Sequence, residues 1–341
     1  SATRRTRYDA NKQQSTEPKT HVVANPAHDD GLERIIEFDQ SVFGARFDEW
    51  TRQHARRLHW QLKQNSMFKR LFHDNPHIRS RFRPMPSTLA DCWHSLFTWH
   101  NDTVNIYTHL LASIVYLVVG AGVIDRLRRA GASNDDVWQW SAICATFVLT
   151  WFCSATYHAL RAHSMPVFSC TLICDLCGIV TTIAAFNFLT IKFELLCFPD
   201  QAYAWHVVNA CATVFNWIMV PALMQCHASS VRTALWICFA ACGALVHFHR
   251  EWLTGAHTNP RTIAGLLLTY AMSVVALIIR NVKLPEMLAH GKYDLIGASH
   301  QIFHCCIAVA PIPLFFAYIS EFQVGNFDRT KCATATPSTP L

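Results

Sequence analysis

The chain has 341 residues, of which 51% are hydrophobic and only 15% are charged, whereas about a quarter of the residues in an average soluble domain are charged. Its formal charge of +6 is concentrated ahead of a series of long apolar runs, so the basic residues indicate a topology signal or a surface that meets anionic lipid headgroups. The composition argues against a soluble globular protein and against a nucleic-acid partner, and it predicts a polytopic membrane protein.

The polar N-terminal part divides in two. Residues 1–47 have the composition of a disordered polar tail, because they contain too little apolar surface to offset the entropy of ordering. Residues 48–102 form a basic juxtamembrane segment, in which Asp48 to Phe72 has the pattern of a basic amphipathic helix that lies on the membrane or against the bundle. A solvated helix packed on a partner fits the same pattern. Prolines then interrupt the helix, and a segment rich in Trp and Phe leads to the first apolar run.

Seven apolar runs follow, each near the length of about 20 residues that a membrane span needs. We predict an all-α membrane protein, a seven-helix transmembrane bundle over residues 103–320 with a cytosolic N-terminal arm, followed by a short C-terminal tail over residues 321–341. The predicted runs are 104–124, 137–158, 167–188, 203–224, 231–249, 262–280 and 297–319.

Basic residues close to the first run favour a cytosolic N-terminus, and seven crossings then place the C-terminus outside the cell or in a lumen. The basic residues in question are Lys69, Arg70, Arg79, Arg81 and Arg83.

The fourteen cysteines lie mostly inside the apolar runs, where they are expected to pack as small hydrophobic side chains. We therefore predict no disulfide framework. Cys174 and Cys177 form a C-x-x-C pair, which without a second such pair is weak evidence for a metal or redox site.

Two histidines near the start of the last run stand four residues apart, so a helix would present His300 and His304 on one face. With alternating crossings, the end of the second run and the start of the third run lie on the same side of the membrane as this pair. His158 ends the second run, and Ser154 precedes it by one turn. Asp175 lies in the third run, roughly 13 Å from its start at 1.5 Å per residue, so these side chains can share one leaflet.

Three imidazoles with an open fourth position are typical of catalytic zinc. Asp175 is the only acidic residue well inside a predicted span, where an unpaired carboxylate is costly. We expect it to accept a proton or to hold a water, and we expect Ser154 to assist.

Other interpretations remain for each residue alone. A hydrogen-bonded histidine pair, a snorkelling His158 or a back-bonded Ser154 would need no metal. His109 is left outside the predicted site. His206, His247, His249 and His257 are predicted to be interfacial or loop residues.

These residues lie in stretches that resemble the progestin and adipoQ receptor family, most closely its adiponectin-receptor branch. The resemblance extends from about Phe82 to Ala317. The matching stretches are Arg83-Pro84-Met85-Pro86, the run from His100 to Leu111, Ser154-x-x-x-His158, Cys174 to Ile179, Leu284-Pro285-Glu286, Gly291 to Asp294, and Ser299-His300-Gln301-Ile302-Phe303-His304.

The resemblance implies zinc held by His158, His300 and His304 toward the cytosolic side of a seven-helix bundle. It also implies that Asp175 positions or activates a water, that Ser154 supports it, and that ceramide hydrolysis is linked to signalling. Asp102 stands where the family usually has glutamate, which keeps the charge at a shorter reach. The N-terminal arm does not match in detail, so no partner of that region is implied.

The leading hypothesis is a zinc-dependent intramembrane amidohydrolase that converts ceramide to a fatty acid and a sphingoid base. The alternative is a receptor for a hormone or steroid in which zinc is structural. The expected partners are membrane lipids, namely ceramide or free fatty acid, and the sequence leaves open an external protein or small-molecule ligand and a homo-oligomer. By resemblance we expect the plasma membrane, with the endoplasmic reticulum or Golgi as alternatives.

Overall fold

The computed structural model describes residues 75–83, 87–226, 228–255 and 259–323, and all regular structure within these ranges is helical. The predicted tail over 1–47, the amphipathic helix from Asp48 to Phe72 and the C-terminal tail beyond residue 323 lie outside the described residues. The domain limits at 47/48, 102/103 and 320/321 therefore stay predictions.

Seven helices of the described chain are long and apolar enough to cross a membrane, which confirms the predicted number of spans. Several extend beyond the predicted apolar runs, because a helix continues into the interface, where polar side chains reach water or headgroups. In chain order the spans are Thr103–Arg129, Asn134–Leu160, Met165–Glu194, Pro199–Gln225, Ser229–Thr254, Pro260–Val282 and Ser299–Phe322.

A short helix, Leu89–Ser95, precedes the first span. Thr88 and Asp91 form a reciprocal capping box that fixes its start, with the Asp91 amide donating to Thr88 Oγ1 at 3.1 Å. Trp93 and Phe97 are 63% and 74% exposed. Exposed aromatic rings of this kind favour the interface between hydrocarbon and headgroups, so this helix marks the level at which the chain enters the membrane.

The seventh span consists of two helices, Ser299–Val309 and Ile312–Gln323, although the apolar run predicted one. Pro311 and Pro313 cause the break, because neither can donate a backbone hydrogen bond. The Tyr116 hydroxyl of the first span donates to the Ala308 carbonyl at 2.8 Å and so provides a partner at the break. The two predicted histidines lie in the first of these helices.

An aromatic core joins the first, second, third, sixth and seventh spans. Trp140 and Phe147 are fully buried, and the ring of Phe315 packs edge-on against both, with centroids 5.4 and 5.8 Å apart. The sixth and seventh spans approach closely at Gly265, where an added Cβ would lie 3.0 Å from the Pro313 carbonyl oxygen. This packing sets the rotation of the spans that carry the histidines.

The bundle has two ends. We call the end where the first span begins and the second span ends the histidine end, and the opposite one the distal end. At the distal end, Glu194 Oε1 lies 3.1 Å from His247 Nδ1, and the Glu194 side chain also lies 3.7 Å from Arg250 Nε. His247 is 3% exposed, so its assignment as an interfacial or loop residue was wrong: it faces a buried carboxylate on the neighbouring span.

The other histidines in that prediction have different surroundings. His249 Nδ1 accepts from Trp205 Nε1 at 2.8 Å, and His206 is half-buried beside Phe188. His257 lies outside the described residues.

Cys197, in the distal link between the third and fourth spans, is disulfide-bonded. The prediction of no disulfide framework is therefore corrected at this cysteine. Cys174 and Cys177 are free thiols, so their C-x-x-C spacing forms no bridge.

Candidate metal centre

Three histidines meet at the histidine end. His158 lies in the last turn of the second span, while His300 and His304 occupy successive turns of the helix that begins at Ser299. Each of the three offers one ring nitrogen, and these nitrogens all lie within 4.8 Å of one another. The structure thus brings together the three residues that the sequence analysis selected as metal ligands.

A buried acid fixes the start of the helix that carries two of these histidines. Glu286 is fully buried and accepts from the Ser299 amide at 2.7 Å and from the Ser299 hydroxyl. The Gln301 side chain folds back to accept from the Gly297 amide, also at 2.7 Å. A negative charge at a helix N-terminus accepts hydrogen bonds from free amides and is stabilised by the helix dipole. The sequence around Leu284-Pro285-Glu286 therefore defines where the helix with His300 and His304 starts.

The nitrogen atom Nδ1 of each histidine contacts a different neighbour. His158 Nδ1 lies 3.3 Å from Asp102 Oδ1, and His304 Nδ1 lies 3.3 Å from the Asn105 carbonyl oxygen. His300 Nδ1 accepts from Arg280 Nε, again at 3.3 Å. Contacts of this kind orient imidazole rings and select their tautomers.

Asp175 and Ser154 lie beside the histidines. Ser154 is 3% exposed and one turn before His158, and its hydroxyl pairs with the half-buried carboxylate of Asp175. Asp175 also interacts with the charge of Arg280. Among the described residues the close group contains three histidines and no carboxylate, so Asp175 is not part of it, and its connection to the cluster runs through Ser154 and Arg280.

Two further side chains at this site had been left out of the predicted site. His109 of the first span stacks on His304, with ring centroids 3.6 Å apart and planes 8° from parallel. Arg280, at the end of the sixth span, donates from Nε to His300 Nδ1 and was not among the candidate site residues. His109 lies one helical turn after Asn105, so both residues are on one face of the first span, and the Asn105 carbonyl oxygen faces His304. The four-residue spacing of Asn105 and His109 was the sequence signal that could have placed His109 at the site. Nothing in the apolar pattern indicated that Arg280 faces the cluster.

A buried ionic cluster lies behind His158. Its members are Arg83, Asp102 and Arg161, with Arg83 Nη2 and Arg161 Nη1 at 3.2 and 3.1 Å from the Asp102 carboxylate. Burial opposes ionisation of Asp102, but Arg161, His158 and Arg83 outweigh it and hold the pKa of this carboxyl well below its usual range. Burial, reinforced by the positive charge of Arg83, lowers the pKa of neighbouring His100 to about 4, so its imidazole is neutral at physiological pH.

The residues present fit a metal ion. His158 Nε2 is buried and has no hydrogen-bond partner, although a buried polar atom is normally satisfied. Imidazole nitrogens suit zinc, copper, nickel and iron. The three-histidine cluster therefore has the ligands and the unsatisfied lone pair that a metal site requires.

The comparisons with known proteins agree with this architecture. The haemolysin-III related family matches residues 97–314, and the chain is 26% identical over 266 residues to the mouse protein named progestin and adipoQ receptor family member 3, covering 76% of this chain and 84% of the relative. It is 28% identical to member 4 from mouse over 235 residues, covering 67% and 82%. It is also 22% identical to the Drosophila melanogaster adiponectin receptor protein over 282 residues, covering 80% and 62%. These matches confirm the resemblance to the progestin and adipoQ receptors, and the chain belongs to the haemolysin-III related family.

Proposed function

We propose that this integral, multi-pass membrane protein is a zinc-dependent amidohydrolase that cleaves a lipid amide, converting ceramide to a fatty acid and a sphingoid base. The observation that carries the proposal is the histidine cluster together with the adjacent pair of Ser154 and Asp175. A structural zinc site closes with a fourth protein ligand, whereas a catalytic site keeps three and leaves one position open. In the described chain the cluster has three.

Zinc bound there would supply Lewis-acid chemistry, polarising an amide carbonyl and lowering the pKa of a water molecule to about 7. Asp175 would act as the base that takes a proton from the attacking water and delivers it to the amide nitrogen. The water oxygen forms a bond to the acyl carbon, and the bond from carbon to nitrogen breaks. The Ser154 hydroxyl donates to Asp175 and orients it.

Arg280 has a role that depends on metal loading. A neutral imidazole that binds a metal through Nε2 keeps its proton on Nδ1, and one that binds through Nδ1 has used that lone pair. In either case His300 Nδ1 can no longer accept the 3.3 Å hydrogen bond from Arg280 Nε. With a metal held by the histidines, Arg280 Nε would have no acceptor at His300, and its guanidinium would suit a developing oxyanion or a carboxylate product.

The surroundings suit a lipid substrate. His300 and Asp175 are only half-buried, whereas His158 and His304 are buried. The site is therefore more accessible on the side of His300 and Asp175. The spans also expose large apolar side chains to the bilayer, among them Leu111, Phe152 and Ile278. An amide carried on acyl chains reaches such a site from the membrane rather than from water.

For orientation we propose a cytosolic N-terminus and histidine end, with the distal end outside the cell or in a lumen. The basic residues ahead of the first span support this. The disulfide at Cys197 supports it too, since disulfides persist in oxidising compartments and are rare in the cytosol. The plasma membrane is the proposed location, with the endoplasmic reticulum and Golgi as alternatives.

The experiment that tests the function measures zinc content and ceramide turnover on the same detergent-purified protein, for the unmodified chain, His300→Ala and Asp175→Ala. We expect one zinc per chain with turnover, loss of both in His300→Ala, and zinc without turnover in Asp175→Ala. Zinc without turnover in the unmodified protein would contradict the enzyme, and absence of metal would contradict the site.

The second candidate is a receptor in which the metal is structural, and the receptor names of the relatives favour it. Such a metal would tie the second and seventh spans together without chemistry at Asp175. It predicts that Asp175→Ala keeps both zinc and signalling. Loss of lipid turnover with zinc retained would support the enzyme instead.

A further inference from the structure

The ionic cluster behind His158 connects three separate parts of the chain. Arg83 belongs to the segment before the short aromatic helix, Asp102 immediately precedes the first span, and Arg161 immediately follows the second. Asp102 Oδ2 accepts a hydrogen bond from Arg83, and Asp102 Oδ1 accepts one from Arg161. A buried charge is tolerated when it is paired and hydrogen-bonded, and here two guanidinium groups do this from two directions.

Arg83 also fixes the end of the second span. Its guanidinium donates to the carbonyl oxygens of His158 and Ala159, the latter at 2.7 Å. These are among the last carbonyls of the helix, which lack partners within the helix itself. The backbone of His158 and the carboxylate next to its ring are thus held by the same side chain.

The Asp102 contact determines which nitrogen of His158 is available. An ionised carboxylate only accepts hydrogen bonds, so the atom opposite Asp102 Oδ1, His158 Nδ1 at 3.3 Å, must carry the ring proton. The second nitrogen then has its lone pair free. That nitrogen, Nε2, is the buried atom that has no hydrogen-bond partner.

We propose that Asp102 is a positioning residue of the metal site, which holds His158 in the tautomer that presents Nε2 to the ion. The inference rests on the proposed metal site and adds a residue to it. Carboxylates that accept from a ligating histidine raise its basicity and fix its ring, and their loss typically costs about 10- to 100-fold in metal affinity.

The test compares zinc affinity, by competition with a chromophoric chelator, for the unmodified protein, Asp102→Asn and Asp102→Glu. The asparagine keeps the shape but lacks the charge, and its amide can present a donor to Nδ1 and so favour the wrong tautomer. We expect zinc binding to weaken about 10- to 100-fold in Asp102→Asn. Asp102→Glu keeps the charge and the acceptor opposite Nδ1, so it should bind zinc more tightly than Asp102→Asn and restore most of the lost affinity.

Two variants separate positioning from mere anchoring. Arg83→Gln removes the anchor of the cluster but leaves the Asp102–His158 contact, so it should lower the unfolding temperature with less effect on zinc than Asp102→Asn. Asp136→Asn makes the same substitution in an ion pair at the distal end, where Asp136 Oδ1 lies 2.5 Å from Lys192 Nζ. It should leave zinc affinity unchanged.

Cobalt supplies a readout that a structural role would not move. Co²⁺ bound to the unmodified protein should give the absorption bands of a site with nitrogen ligands, and Asp102→Asn should shift or weaken them at saturating Co²⁺. Equal zinc affinity and equal cobalt spectra in the unmodified protein and Asp102→Asn would overturn the inference while leaving the metal site intact. If the unmodified protein binds neither ion, the proposed function itself fails.

Discussion

The two ends of the bundle use similar side chains in different ways. At the distal end, polar groups pair off locally: Glu194 faces His247, and Lys192 Nζ contacts Asp136 at 2.5 Å. At the histidine end, three imidazoles from two spans converge within 4.8 Å, and each has an outer contact at Nδ1. A histidine at either end has a nitrogen without a partner, since His247 Nε2 also lacks one.

The two ends differ in whether several imidazoles converge on one place. In the described chain, His247 has a carboxylate and an arginine beside it but no second imidazole close enough to complete a group of metal ligands. Buried polarity alone therefore does not indicate a site. Several ring nitrogens that lie close to one another do indicate a metal site.

The largest effect should come from the cluster itself. His304→Ala removes a ligand, so we expect loss of stoichiometric zinc and a fall in affinity well beyond the roughly 100-fold that loss of an outer contact costs. Zinc per chain measured by mass spectrometry checks this. His249→Ala, at the distal end, is the matched control. Equal zinc content in the two variants would contradict the proposed difference between the two ends.

The next effect should be on stability rather than on metal. His247→Ala breaks a buried pair and leaves Arg250 Nε, 3.7 Å from the Glu194 carboxylate, as the remaining ion-pair partner among the described residues. Breaking such pairs costs about 3–5 kcal/mol, and the remaining arginine places the expected loss near the lower value. Unfolding in detergent measures it. Zinc affinity should not change, and a loss of zinc in this variant would show that the two ends are coupled.

A smaller effect is expected at the edge of the histidine end. Arg280→Gln should reduce turnover about 10- to 100-fold, equal to about 1.4–2.7 kcal/mol of transition-state stabilisation. Zinc content should stay at the unmodified level, because Arg280 contacts His300 through the nitrogen that a bound metal makes unavailable as an acceptor. Steady-state kinetics with a fluorescent ceramide measures turnover. Unchanged kcat and KM would remove Arg280 from the site.

The smallest effect tests the break in the seventh span. Tyr116→Phe deletes the hydroxyl that donates to the Ala308 carbonyl at 2.8 Å. A hydrogen bond of this kind contributes about 1 kcal/mol, so we expect a loss of that size in unfolding free energy with full zinc binding. Tyr270→Phe is a useful comparison, because Tyr270 donates to the Ala240 carbonyl within a continuous helix. A reduced zinc affinity in Tyr116→Phe alone would indicate that the break positions the ligands.

Much of this arrangement is predictable from sequence, and the reason is geometric. Span number follows from the length of apolar runs, and alternation of crossings then places His158, His300 and His304 on the same side of the membrane without any knowledge of packing. The rotation of each helix is set by its neighbours instead, so hydropathy did not predict that Arg280 and His109 turn toward the cluster or that His247 faces Glu194. The two prolines of the seventh span were visible in the sequence, but an apolar run does not distinguish one helix from two.

The break at Pro311 also bears on how the site tolerates sequence change. The helix Ser299–Val309 has 11 residues, which is about 16 Å of helix at 1.5 Å per residue. His300 and His304 are spaced by a single turn of this segment, and its backbone ladder does not continue into Ile312–Gln323. An insertion or deletion in the second helix, Ile312–Gln323, thus changes the length of the span without rotating the histidines. That helix can vary in length while the spacing of His300 and His304 stays constant.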